Sequence, residues 1–80
     1  MAIFAQDMTK AQMLGEAERL EELAEKWRAD AASVLSVRAP TRELRQVNKD
    51  RAKELEGHAA KAEADAAQYR ELAASQFPAG

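Results

Sequence analysis

Residues 13–34 read MLGEAERLEELAEKWRADAASV, and residues 52–73 read AKELEGHAAKAEADAAQYRELA. In the first stretch Met13, Leu20, Trp27 and Val34 alternate with Ala17, Ala24 and Ala31. In the second, Ala52, Ala59, Ala66 and Ala73 alternate with Leu55, Ala62 and Tyr69. Apolar residues at alternating steps of three and four trace the a and d positions of a coiled-coil seam. Each stretch therefore predicts a helix with one narrow apolar edge. Folding the chain back near Ala39–Pro40 sets Trp27 opposite Ala52, Leu20 opposite Ala59, Met13 opposite Ala66 and Ala24 opposite Leu55. Large residues then meet small ones, as close packing of two antiparallel helices requires. The expected fold is all-α: an antiparallel helical hairpin, an alanine-rich coiled coil that dimerises into a four-helix bundle.

The helix ends are marked as well. Thr9 followed by Gln12 forms a capping box, and Met8 and Met13 flank it at the spacing of a hydrophobic staple. Pro40 stops the first helix, because the residue before a proline is pushed out of the α region. Thr41 can cap the second, with Glu43 in its first turn complementing the helix dipole. The expected layout is a single domain over residues 1–80, with helix 1 at about 9–37, a turn at 38–41 and helix 2 at about 41–76. Helix 2 is then longer by roughly 10 Å at ~1.5 Å per residue. That overhang lies beside residues 1–8, where Ile3 and Phe4 reach Tyr69, Leu72 and Phe77 and plug the open end. Gly15 falls on the outward face of helix 1 and costs about 1 kcal/mol against alanine.

Composition bounds what such a hairpin can do alone. Hydrophobic residues are 46% of the 80, yet nineteen of them are alanine. An alanine methyl contributes roughly 0.8 kcal/mol on burial, a leucine or phenylalanine ~1.5–3 kcal/mol. A domain this small with so thin a core usually needs reinforcement. With no cysteine, disulfides and thiolate metal sites are excluded, so association with a second copy is the expected reinforcement. The lack of cysteine also suits a cytoplasmic chain. No apolar run is long enough to span a bilayer, and the short apolar start (Ala2–Ala5) meets Asp7 with no basic stretch before it, which predicts no signal peptide. A net charge of −2 gives no global attraction to nucleic acid or an acidic membrane.

Catalytic chemistry finds little footing. His58 is the only histidine, and Leu55 stands where the glutamate of a bundle Glu-x-x-His metal motif would be. Glu54, one turn before His58, reads as half of a solvated pair. Glu16, Glu18, Glu21, Glu22 and Glu25 are interleaved with Arg19, Lys26 and Arg28, with Glu22–Lys26 in the order that supports a helix. They read as a solvated face. No catalytic residue, metal site or cofactor is expected.

Three features point to binding instead. Trp27, at a d position, is first a core residue; tryptophan is also enriched at interface anchors. Ala60, Ala64, Ala67 and Ala74 line a face of helix 2 away from the seam, while Leu14, Leu23, Leu35 and Val37 flank the seam of helix 1. These widen the apolar surface beyond what one partner helix covers, which suits a second hairpin. The turn is basic: Arg38, Arg42, Arg45, Lys49, Arg51 and Lys53 stand against Glu43 and Asp50. Arg42, Arg45, Lys49 and Lys53 make one stripe, able in principle to meet phosphates, but no aromatic interleaves it.

Small secreted helical hairpins of the WXG type share this outline but carry Trp-x-Gly at the turn. Here Trp27 is followed by Arg28 and Ala29, and the turn is Ala39–Pro40–Thr41. The expected function is a non-enzymatic protein-interaction module, a small regulator or inhibitor that pairs with itself and docks on a larger protein. Arg38, Arg42, Arg45, Lys49, Lys53, Trp27, Ala60 and Ala67 are the candidate contact residues. The alternative is a nucleic-acid binder using the basic tip, which resembles in outline the small RNA-binding helical-hairpin dimers encoded by plasmids. No membrane partner is expected.

Overall fold

The computed structural model describes residues 8–76 as two long helices packed along each other, α1 (Lys10–Ser36) and α2 (Arg42–Gln76). Its principal-axis extents are 58 × 19 × 16 Å. The longest is close to the ~52 Å that the 35 residues of α2 span as a helix. The proposed contacts of Ile3, Phe4 and Phe77 lie outside the described residues.

Local chemistry sets the helix ends. Gln12 N donates to Thr9 Oγ1 at 3.1 Å, and Thr9 N donates to Gln12 Oε1 at 2.7 Å, which closes the capping box. Met8 packs against the Met13–Ala73 cluster as the staple requires. At α2, Leu44 N donates to Thr41 Oγ1 at 3.1 Å. The end of α1 falls where expected, at about residue 37. The chain leaves the helix at Val37 (φ −68°, ψ 129°), three residues before Pro40, and Val37 N donates to Val34 O at 3.3 Å.

The register does depart from expectation. The buried side chains group as Met13 with Ala73, Ala24 with Ala59 and Ala62, and Ala31 with Ala52 and Leu55. Level pairs are therefore Met13–Ala73, Leu20–Ala66, Trp27–Ala59 and Val34–Ala52, with Ala17–Tyr69, Ala24–Ala62 and Ala31–Leu55 between them. The expected pairing of Trp27 with Ala52 and Met13 with Ala66 is displaced by one heptad, about 10 Å along the axis.

Two physical reasons account for the shift. In the expected register Ala31 and Val34 face Asn48 and Arg45, while Tyr69 faces Lys10 and Ala73 finds no partner on helix 1. In the observed one every a and d residue from 13 to 34 meets an a or d residue from 52 to 73. The connection also permits it. Residues 37–41, extended at about 3.3 Å each, reach far enough to cover a heptad of helix, and Arg45 Nη1 donates to Ala39 O at 3.3 Å to hold the strap against α2. The overhang of helix 2 thus moves from the open end to the turn: Lys10 is nearly level with Gln76, and the first two turns of α2 project past α1.

Large still meets small in most layers. Ala24–Ala62 is the exception, and Trp27 beside it packs against the clusters on both sides. The core is as thin as composition implies. Met13 and Leu55 are the only large side chains among the buried residues, the other eight being alanines, and no polar or charged side chain is buried among the described residues.

Candidate interaction surface

The turn end carries an unusual combination of groups. Among the described residues the exposed large apolar side chains are Leu35 (53% exposed), Val37 (61%), Leu44 (48%) and Val47 (60%), and all four lie at this end. Arg38, Arg42, Arg45, Lys49 and Lys53 are exposed around them. The register explains why. Seam contacts begin only at Val34–Ala52, so α1 does not cover the first two turns of α2. The strap lies on one side of them, leaving a groove of about 170 Å³ lined by Leu35, Val37 and Ala39 opposite Arg45, Asn48 and Lys49. Leu44 and Val47, three residues apart on α2, are not part of that groove; they share one side of the helix. The tip is basic, apolar and open.

Trp27 is a seam residue. It is half-buried, and its ring lies 5.0 Å from that of His58 with a tilt of 36°. His58 therefore rests at the edge of the seam beside Trp27, while Glu54, expected to be its neighbour, pairs with Arg51 at 3.3 Å. Ala60 and Ala67 are exposed, as are Ala64 and Ala74. Leu14, at the flank of the seam, is half-buried against Met13 and Ala73.

The charged body of the hairpin is less passive than the sequence suggested. Arg70 Nη2 and Nε donate to the two oxygens of Glu21 at 2.6 and 3.0 Å, and Arg28 pairs with Glu63. Both pairs cross from one helix to the other. The Arg70 hydrogen bonds hold the Glu21 carboxyl below the usual carboxylate range. Within α1, Arg19 does the same to Glu16, with Nη2 to Oε2 at 2.7 Å. All three pairs are solvent-exposed and add little stability; only Glu21–Arg70 and Arg28–Glu63, which join the two helices, bear on register. Glu18, Glu21, Glu22 and Glu25 line a shallow acidic groove along α1.

Among the described residues no group of three or more histidines, aspartates or glutamates is placed to hold a metal ion. Among the described residues no helix is long and apolar enough to cross a membrane. No protein-family model matches the chain, and no curated protein or solved structure shows significant similarity to it.

The basic stripe was legible in the sequence; the apolar residues interleaved with it were not among the expected contact residues. Leu44 and Val47 interleave with Arg42, Arg45 and Lys49 in plain view. The usable signal was that they fall off the a/d frame of α2, whose positions there are the polar Arg45 and Asn48. A helix whose seam positions turn polar has left its partner.

Proposed function

We propose that the chain is a non-enzymatic, cytoplasmic protein-interaction module, a regulator or inhibitor that docks on a larger protein through its tip. The observation that carries this reading is the exposure of Leu35, Val37, Leu44 and Val47 within a basic surround. Phosphate recognition needs cationic and hydrogen-bonding groups, and four exposed aliphatic side chains add nothing to it. A protein surface with an apolar centre and an acidic rim uses both components. The thin core supports the second half of the proposal, that the hairpin pairs with a second copy into a four-helix assembly, since a partner would bury the outward alanines.

Two measurements test the docking proposal. A photo-crosslinking residue placed at Val47 in the full chain should capture a defined protein in its host, and Leu44→Glu should abolish that capture while the helical circular-dichroism signal is retained. Titration with short duplex DNA and stem-loop RNA at about 50 and about 200 mM salt gives the other arm. Submicromolar binding at the higher salt, lost on reversing Arg42, Arg45 and Lys49 to glutamate, would replace the protein partner with nucleic acid.

A further inference from the structure

One flank of α2 is complementary to itself about its centre. Every seventh residue along it is Leu44, Arg51, His58, Asp65 and Leu72, and one step further round the helix stand Val47, Glu54, Lys61 and Gln68. Counted outward from His58, the first row passes through opposite charges, Arg51 and Asp65, to a leucine at each end. The second passes through Glu54 and Lys61 to Val47 and Gln68. Contacts fix where this flank lies. Lys49, Glu63 and Arg70 mark one side of the seam, facing the strap and α1. The His58 ring against Trp27, and Leu72 against the Met13–Ala73 cluster, mark the other.

Within one chain this flank is only half satisfied. Arg51 pairs with Glu54 at 3.3 Å, both side chains being more than half exposed. Lys61 and Asp65 form no ion pair among the described residues. Leu44 and Val47 stand exposed at the tip. At the other end of the helix an open hollow of about 390 Å³ is lined by Gln68, Glu71, Leu72 and Ser75. Leu44 and Leu72 are about 42 Å apart along a helix, so the tip pair and the hollow cannot meet in one chain.

We infer that a second copy of the chain packs this flank of its α2 antiparallel against the first, with the two-fold axis beside His58. Such a contact uses the same patch on both copies and makes each pair twice. Leu44 then lies level with the partner's Leu72 and Val47 with the partner's Gln68, so the exposed tip pair seats in the hollow. Arg51 meets the partner's Asp65 and Glu54 meets the partner's Lys61, which extends the Arg51–Glu54 pair into a line of four alternating charges. The antiparallel sense follows from these charges. In a parallel pair each of the four meets its own copy, and like charges in register repel. Trp27, half-buried beside His58, sits near the middle of the contact, where tryptophan anchors concentrate.

The groove of Leu35, Val37 and Lys49 lies on the other flank and stays open to the larger protein in such a dimer. Leu44 and Val47 are covered in it and reach that protein only when the copies separate, so pairing and docking compete for them. Ala60 and Ala67, on the outward face of α2, lie outside the contact.

The inference rests on the proposed self-association, and the test separates the two. In the full chain, His58→Cys should form a disulfide-linked dimer on mild oxidation, because its two copies are level at the axis. Arg51→Cys should not crosslink to itself, its copies being roughly 21 Å apart along the helix axes. Arg51→Glu and Asp65→Arg should each raise the dimer dissociation constant roughly tenfold, and the double reversal should restore it. Ala60→Glu should leave that constant unchanged, and the helical circular-dichroism signal should persist in every variant. A chain that sediments as a monomer at about 100 μM, well above ordinary micromolar affinities, overturns self-association and this inference together. A dimer that His58→Cys does not lock, or that Arg51→Cys does, or that Ala60→Glu disrupts while the Arg51 and Asp65 reversals do not, overturns this interface alone.

Discussion

The body and the tip of this hairpin are built from the same two helices and obey different rules. In the body, residues 13–34 and 52–73 alternate large and small so that each layer closes on itself, and the charged side chains outside it cross the seam in pairs. In the tip, the a and d positions of α2 are Arg45 and Asn48, and the apolar residues have moved to Leu44 and Val47, which stand exposed. A helix that changes which face is apolar along its length has changed partners. The body is self-sufficient in shape but weak in apolar content. The tip spends its larger side chains on the outside, where they contribute nothing to the stability of one chain.

The largest effect that could break this contrast is a core truncation. Leu55→Ala should destabilise by about 2–5 kcal/mol, read as a fall in the urea midpoint, whereas Val47→Ala at the tip should stay within about 0.5 kcal/mol. Equal losses at the two sites would mean that the tip is packed after all. Overpacking comes next. Ala59→Leu, opposite Trp27, should cost ~1–3 kcal/mol, and the same substitution at exposed Ala29 should be close to neutral. The register sharpens with cysteine pairs: Leu20→Cys with Ala66→Cys should crosslink within one chain, and Leu20→Cys with Ala59→Cys should not.

Removing the caps compares the open end with the tip. Thr9→Ala and Thr41→Ala should each cost about 1 kcal/mol. The Thr41 change should also loosen the overhanging turns of α2, seen as faster amide exchange at Leu44 and Arg45. The smallest expected effect belongs to the Glu21–Arg70 pair. The folded pKa of Glu21 lies below its unfolded value, so the pair contributes above the ordinary carboxylate range and is lost as pH falls through the depressed value. The stability difference between the natural chain and Arg70→Gln should therefore be present above the ordinary carboxylate range and shrink as the pH is lowered below it. Because both side chains are exposed, the difference is small at any pH.

Sequence alone was enough for the helices, their caps and the seam, because each depends on residues within a turn or two of one another. The capping box at Thr9, the hydroxyl of Thr41 and the three-and-four spacing of the apolar residues are all local facts. The expected thinness of the core was equally legible, since nothing in the tertiary structure can make an alanine larger. The register was not so local. Sliding one helix by a heptad carries every a position onto an a and every d onto a d, so Trp27 finds an alanine in either alignment, Ala52 in one and Ala59 in the other. What distinguishes them is the number of layers that close, together with the path of residues 37–41. That path follows from Val37 leaving the helix and from Arg45 holding the carbonyl of Ala39. With the register came everything that depends on level: the ion pairs across the seam, the ring of His58 beside Trp27, and the two uncovered turns of α2. Short-range patterns determined what each helix presents; only the tertiary structure decided which residues stand opposite, because translational periodicity hides that choice from any reading of one helix at a time.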